Sequence, residues 1–223
     1  MFKRKILSKL EAWKRDERHK PLILRGARQV GKTTVVNEFG SQFDNYLYFN
    51  LEMNESVRLF EMDIPLNDLV NMLFASSGKS QREGSTLIFI DEIQNSPKTI
   101  ALLRYFYEQR PDLYVIAAGS LLENLVVVNV SFPVGRVMYM ALRPCSFYEF
   151  LGAIGKTNLL AVLSQKPEYT VAFHEQLIHQ FNQYTIIGGM PEAVQRYAET
   201  QDIVAIEDVY ETLVQAYKDD SEK

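Results

Sequence analysis

Short apolar runs alternate with stretches of helical periodicity along the first two thirds of the chain. The runs are rich in branched and aromatic residues and are typical of buried strands. They cover residues 22–24, 46–51, 86–92, 112–118 and 137–142. Between them, apolar residues recur at helical spacing, which predicts helices at 32–39, 55–62, 66–73 and 97–107. An exposed loop is expected at 76–85, where glycines lie among polar residues.

After Pro144 the strand pattern stops, and the apolar stretches take helical spacing. Helices are predicted at 146–151, 158–163, 169–184 and 203–217. We therefore expect a core at 21–143 and a helical subdomain at 144–223. Within the subdomain, Gly188 and Gly189 form a turn that places Pro191 in the first turn of a further helix. A plain helix start explains that pattern without any function.

A basic segment, residues 1–20, precedes the first strand. It holds eight Lys and Arg against three Asp and Glu, although the whole chain has a net charge of −4. Its apolar stripe of Phe2, Ile6, Leu10 and Trp13 predicts an amphipathic helix that packs on the core. The alternative is an arm that contacts phosphates or a polyanionic partner.

The composition is that of a globular, cytoplasmic protein. With 223 residues, of which 47% are hydrophobic, the chain is long enough to bury a full core. A single cysteine, Cys145, excludes an internal disulfide and is interpreted as a packing residue in a reducing compartment. No apolar segment has the length of a secretion signal or a membrane span, so no membrane contact is expected. His19, His174 and His179 are not spaced to bind a metal together.

The first chemical signal follows the first strand. There the chain has the pattern G-x-x-x-x-G-K-[ST], in which glycines let backbone N–H groups surround a phosphate at the start of a helix. Lys32 is then expected to reach the outer phosphates of a nucleotide, and Thr33 to bind its magnesium ion. A chance match in an ordinary glycine turn is the alternative. The predicted nucleotide-binding residues are Gly26, Ala27, Arg28, Gln29, Val30, Gly31, Lys32, Thr33 and Thr34.

Two carboxylates end the third predicted strand. Asp91 is expected to hold the magnesium ion through water, and Glu92 to orient and deprotonate an attacking water molecule. Strands commonly end in acidic turns, so this pair indicates a nucleotide site only in combination with the loop.

Two residues farther along complete the predicted site. Ser120 ends the fourth strand, where it is expected to sense the outer phosphate or position water, to cap a helix predicted from residue 121, or to do both. Arg136 precedes the last strand and either reaches a triphosphate, in its own or a neighbouring subunit, or pairs with a surface acid. The valine-rich run at 125–130 fits a strand or a helix end, and its pattern does not decide between them.

Together these motifs resemble the AAA-plus type P-loop ATPases. More narrowly, they resemble a group of prokaryotic ATPases that carry a C-terminal domain of unknown function. The resemblance rests on residues 25–34, 89–94, 133–136, 142–147 and 188–193. It implies an α/β fold, with a five-stranded parallel sheet of order 5-1-4-3-2 between helices, followed by a helical lid.

The resemblance also implies further roles. Pro191 matches a lid turn that touches the adenine, and Arg136 matches an arginine finger, so a homo-oligomer is expected. Relatives continue into a winged helix and a further domain, so we expect this sequence to be part of a longer protein. A protein or nucleic-acid partner is expected to bind through that further region.

We therefore expect a module that binds ATP and ADP and hydrolyses ATP with Mg2+ to move its lid or a partner. In this scheme Lys32, Glu92, Ser120 and Arg136 act on the reaction, and Thr33 and Asp91 hold the metal. A regulatory scaffold that binds ATP with little turnover uses the same motifs. A small-molecule kinase is the remaining alternative, although no acceptor-site pattern favours it.

Overall fold

The computed structural model describes residues 2–81, 84–120, 133, 135–165 and 170–221. The chain divides into two compact units, one formed by Ile6–Leu142 and the other by Met1–Lys5 with Arg143–Lys223. We call them the sheet unit and the helical unit. The undecided run at 125–130 lies outside the described residues.

The sheet unit is built on five strands that are all parallel where they pair. They are β1 (Leu22–Arg25), β2 (Asn45–Asn50), β3 (Thr86–Asp91), β4 (Leu113–Gly119) and β5 (Met138–Ala141). Their order across the sheet is β2-β3-β4-β1-β5. This confirms the expected order 5-1-4-3-2. Every residue of β3 is buried, because helices cover both faces of a parallel sheet.

The helices described in the sheet unit are α1 (Ile6–Arg15), α2 (Lys32–Gly40), α3 (Asn54–Phe60), α4 (Leu66–Ser76) and α5 (Pro97–Gln109). On one face, side chains of α3, α4 and α5 pack with inward-facing residues of β2, β3 and β4 in one core cluster. On the other, Trp13 of α1 contacts Phe39 of α2 and Tyr114 of β4. Alternate residues of each strand therefore serve opposite cores, as the period of two requires.

The N-terminal segment is a shorter helix than predicted. Ile6, Leu10 and Trp13 are buried as the apolar stripe requires, but the helix occupies Ile6–Arg15 instead of the whole of residues 1–20. Phe2 packs in the core of the helical unit. The side chain of Trp13 donates from Nε1 to the carbonyl of Lys20 at 2.8 Å. The chain after α1 therefore turns back towards the helix.

The helical unit contains α6 (Phe147–Ala153), α7 (Thr157–Leu163), α8 (His174–Ile187), α9 (Pro191–Thr200) and α10 (Glu207–Ser221). Its core includes Phe150, Ile187, Val194 and Tyr197. Cys145 is buried among them, which confirms it as a packing residue, and this burial raises the pKa of its thiol to about 11. Among the described residues, no helix has both the length and the apolar character that crossing a membrane requires.

Candidate functional site

The carboxyl ends of β3, β4 and β1 lie side by side, because these strands are neighbours in a parallel sheet. The chain that leaves each end carries one of the sequence motifs: residues 26–31 after β1, Asp91 and Glu92 at β3, and Ser120 after β4. Ligands of open α/β sheets bind at such an edge. The topology therefore gathers three of the predicted motifs within the sheet unit.

The loop after β1 has a backbone that only particular residues allow. A side chain at Gly26 would place its Cβ 2.4 Å from the carbonyl oxygen of Leu142, so the loop can pass that strand end only as glycine. Gly31 has a φ of 88° and stands at the N-terminus of α2 without any side-chain cap. The first N–H groups of α2 are thus left to bind an anion, which the helix dipole also attracts.

Lys32 folds back over this loop. Its Nζ donates to the carbonyl oxygens of Gly26 and Ala27, at 2.9 Å each. Burial lowers the pKa of the Lys32 ammonium; the carboxylates of Glu92 and Asp91 oppose that shift, and Arg28 adds to it. The ammonium is held above the loop, close to where a bound phosphate would lie.

Thr33 and Asp91 are joined directly. The hydroxyl of Thr33 donates to Oδ2 of Asp91 at 2.5 Å, and the backbone N–H of Glu92 donates to Oδ1 at 3.1 Å. Asp91 is only 3% exposed. Both carboxylate oxygens are therefore oriented, and a hydroxyl oxygen lies beside one of them.

These oxygen donors fit magnesium. The ion prefers hard oxygen ligands and takes only one or two from the protein when a nucleotide supplies phosphate oxygens. No group of three His, Cys, Asp or Glu side chains among the described residues is placed to hold a metal ion. A metal at Thr33 and Asp91 would therefore need ligands from a phosphate or from water.

Glu92 has an unusual backbone. It lies in the left-handed region, with φ 51° and ψ 46°, just before a 3₁₀ turn at Ile93–Asn95. For a residue other than glycine this conformation costs about 1–2 kcal/mol. Such strain is concentrated at functional sites, and here it redirects the side chain at the point where the strand ends. Gln94 donates from Nε2 to Oε2 of Glu92 at 2.5 Å.

Ser120 follows β4 directly. Its Oγ is buried and has no hydrogen-bond partner within the described part of the chain. Buried hydroxyl groups are almost always hydrogen-bonded, so a partner for this one is expected. The helix that it was expected to cap, predicted to begin at residue 121, falls outside the described residues.

Arg136 is paired with an acid of its own unit. Its Nε donates to Oε1 of Glu108 at 2.8 Å, and its side chain is 44% exposed. The same oxygen of Glu108 also accepts from Arg104 at 2.9 Å. This geometry matches the surface-pairing alternative, and it leaves the arginine accessible at the surface.

Pro191 is the first residue of α9 in the helical unit. The turn before it is held inside that unit, where the N–H of Cys145 donates to the carbonyl of Gly189 at 2.6 Å. The hydroxyl of Tyr210 likewise bonds to the carbonyl of Ile187. These contacts agree with the plain helix start that the sequence left open.

Two residues near Asp91 and Glu92 were not predicted to act there. Gln94 binds the Glu92 carboxylate, as described above. Tyr48 of β2 pairs with Phe89 of β3, and burial raises the pKa of its hydroxyl, as do the charge of Asp91 and a hydrogen bond to it. Tyr48 could not have been predicted from the sequence, because only the strand register brings it to this edge. Gln94 could have been considered, since its carboxamide follows Glu92 by two residues.

Comparison with known proteins gives a family and a distant structural likeness. A family model described as an AAA domain matches residues 18–151, more than half of the chain. No curated protein matches. The structure of C. elegans PCH-2 is similar with a TM-score of 0.48 and 12% identity, over 94% of this chain and 68% of that one. Drosophila ORC bound to DNA is similar with a TM-score of 0.47 and 14% identity, over 86% and 58%.

Proposed function

Since the chain belongs to the AAA domain family, we propose that it binds ATP and hydrolyses it with magnesium. One observation supports this most strongly. The strand order sets Lys32, the Thr33–Asp91 pair, Glu92 and the Ser120 hydroxyl, which has no partner among the described residues, at neighbouring strand ends of one unit. Phosphoryl transfer depends mainly on positioning and on charge, and these are the groups it requires.

The phosphates bind at the loop after β1. The N–H groups of residues 26–31 and of the start of α2 surround them, with Gly31 supplying the turn. Lys32 exchanges its bonds to the carbonyls of Gly26 and Ala27 for bonds to the outer phosphate oxygens. Since the ammonium is already desolvated, much of the cost of burying it is met before the nucleotide arrives.

Thr33 and Asp91 are the residues that would hold magnesium, which neutralises developing phosphate charge when it is bound. Glu92 accepts the proton of the attacking water, and Ser120 bonds to the outer phosphate. We propose that Pro191 contacts the base and that Arg136 acts on the site of a second copy of the chain. The exposed, solvent-screened pair with Glu108 is weak enough for Arg136 to exchange it for a phosphate.

The test is steady-state hydrolysis of ATP and of GTP by the unaltered chain, Lys32→Ala and Glu92→Gln. We expect Glu92→Gln to lose at least about a hundredfold in turnover with nucleotide affinity retained. Lys32→Ala should lose at least about tenfold in kcat/KM, because it binds nucleotide more weakly. Lys98→Ala is the matched control, because Lys98 also donates to two backbone carbonyls, those of Glu61 and Met62, away from the site. Equal turnover by Glu92→Gln and the parent would contradict the role of Glu92.

A regulatory switch that binds ATP with little turnover is the second candidate. The observation that favours it is the set of internal bonds that Lys32 and Thr33 already make. Such bonds must break before a nucleotide can enter, so we expect slow entry and hence low turnover. Persistent stoichiometric nucleotide with negligible turnover would support the switch, whereas turnover per chain that rises with protein concentration would support an oligomeric ATPase.

A further inference from the structure

The side-chain amide of Gln94 is fixed in one orientation by Glu92. Only the nitrogen of a carboxamide can donate to a carboxylate, since an oxygen in its place would set two acceptors together. The 2.5 Å contact between Nε2 and Oε2 of Glu92 therefore assigns both ends of the amide. The oxygen, Oε1, must point away from that carboxylate oxygen.

This Oε1 atom is buried and has no hydrogen-bond partner within the described part of the chain. A buried acceptor normally has a partner, because desolvating it without one is costly. Oε2 is the oxygen of Glu92 that accepts from Gln94, so Gln94 does not occupy Oε1 of Glu92. The Glu92–Gln94 pair therefore has one carboxylate oxygen and one amide oxygen that can each accept a hydrogen bond from a bound molecule.

The turn that carries Gln94 is held without its side chain. The N–H groups of Asn95 and Ser96 donate to the carbonyls of Glu92 and Ile93, at 3.0 and 3.1 Å. Ile93 is buried in the core, and Nδ2 of Asn95 donates to the carbonyl of Leu51 at 3.3 Å. The bond from Gln94 to Glu92 is therefore additional to the contacts that stabilise the fold.

We propose that Gln94 is a further catalytic residue, which holds the attacking water together with Glu92. Its N–H fixes the carboxylate of Glu92, and its carbonyl oxygen accepts one hydrogen of the water while Glu92 accepts the other. As the water oxygen bonds to the terminal phosphorus, the bond from that phosphorus to the bridging oxygen breaks. The transferred proton goes to Glu92, and Gln94 stays neutral throughout. The inference rests on the ATP hydrolysis proposed above.

The experiment compares Gln94→Ala and Gln94→Met with the parent. The matched control is Gln195→Ala, because Gln195 also donates to a carboxylate, that of Glu199, but lies in the helical unit. Gln94→Met keeps the length of the side chain but can neither donate to Glu92 nor accept from water, so a purely steric role would leave it active. We expect kcat to fall about tenfold to a hundredfold in both Gln94 variants, with the Kd for ATP within about twofold of the parent. The control should keep the kcat of the parent.

Binding of ADP with aluminium fluoride supplies a readout besides activity, because that complex mimics the phosphoryl group together with its in-line water. Both Gln94 variants should bind it at least about tenfold more weakly, while their affinity for ADP alone and their melting temperatures stay unchanged. A parent that binds no ATP would remove the proposed function. A parent that hydrolyses ATP no faster than its Gln94 variants would overturn only the role of Gln94.

Discussion

Two buried polar clusters, one in each unit, differ in how completely their hydrogen bonds are satisfied. In the helical unit, the carboxylate of Glu149 accepts from Arg4 at 3.0 Å, from the N–H of Lys5 at 2.9 Å, and from Ser146 through both its N–H and its hydroxyl. Arg4 also donates to the carbonyl of Arg143 at 2.7 Å. This cluster uses its acceptors within the protein.

The cluster at the strand ends of the sheet unit leaves groups unused. Ser120 Oγ and Gln94 Oε1 are buried without a partner within the described residues, and Glu92 lies in a strained backbone conformation. This difference supports our proposal that the first network holds structure and that the second binds a ligand. The first is complete without any other molecule, and the second retains unsatisfied groups whose cost a ligand removes.

Breaking the complete network should have the largest effect on stability. The side chains of Arg4 and Glu149 are 6% and 9% exposed, so Arg4→Ala leaves a buried carboxylate without its counter-ion. We expect a loss of about 3 kcal/mol in the free energy of unfolding, measured by urea denaturation followed by far-UV circular dichroism. The double variant Arg4→Met with Glu149→Gln should recover much of the loss. A change below about 1 kcal/mol in Arg4→Ala would show that the pair is not structural.

The same network predicts a pH dependence. Burial alone would raise the pKa of Glu149, but hydrogen bonds from Ser146, Lys5 and Arg4 hold it below its ordinary value of 4.5. Its contribution is therefore complete above the ordinary pKa and is lost as the pH falls through the lower folded value. The stability difference between the parent and Glu149→Gln should shrink in that acidic range. A difference that grew on acidification would contradict the assignment.

Removing the Ser120 hydroxyl should have the opposite effect to removing Arg4, because ATP turnover should fall while the free energy of unfolding is kept. Ser120→Ala deletes a hydroxyl that has no partner in the described chain, so the free energy of unfolding should stay the same or rise by up to about 1 kcal/mol. Turnover of ATP should fall about tenfold, because a contact to the outer phosphate is lost. Ser41→Ala, which removes an exposed hydroxyl bonded to Glu38, is the control. A clear loss of stability in Ser120→Ala would assign the hydroxyl to structure.

The smallest expected effect compares two residues in left-handed conformations. Gln201 has φ 55° at the end of α9, and Glu92 has φ 51° at the site. Gln201→Gly should stabilise the chain by about 0.5 kcal/mol, because relief of strain is partly offset by backbone entropy and by lost side-chain bonds. Glu92→Gly should relieve similar strain but abolish hydrolysis. Thermal melting measures the gain in stability and ATP turnover measures the loss of activity. Full activity in Glu92→Gly would contradict the role of Glu92 as the general base.

The strand order and the three motifs at the strand ends were predictable, because each depends on a local pattern or on resemblance to a family. The N-terminal segment was predicted less well. Its apolar stripe indicated one helix, yet Arg4 binds Glu149, which lies 145 residues away in sequence. The charge of Asp91 acts on the Tyr48 hydroxyl only because β2 pairs with β3. Contacts of this kind depend on tertiary packing, which local periodicity does not encode.

The most direct test of the incomplete cluster as an ATP site is a calorimetric titration of magnesium and ATP into the parent, Lys32→Ala and Lys98→Ala. Lys32 and Lys98 carry the same charge and each donates to two backbone carbonyls, but only Lys32 lies at the strand ends. We expect one saturable site per chain in the parent and in Lys98→Ala, and at least about tenfold weaker binding in Lys32→Ala. Equal affinity in all three chains, or no binding of ATP to the parent, would contradict the assignment of this cluster as an ATP site.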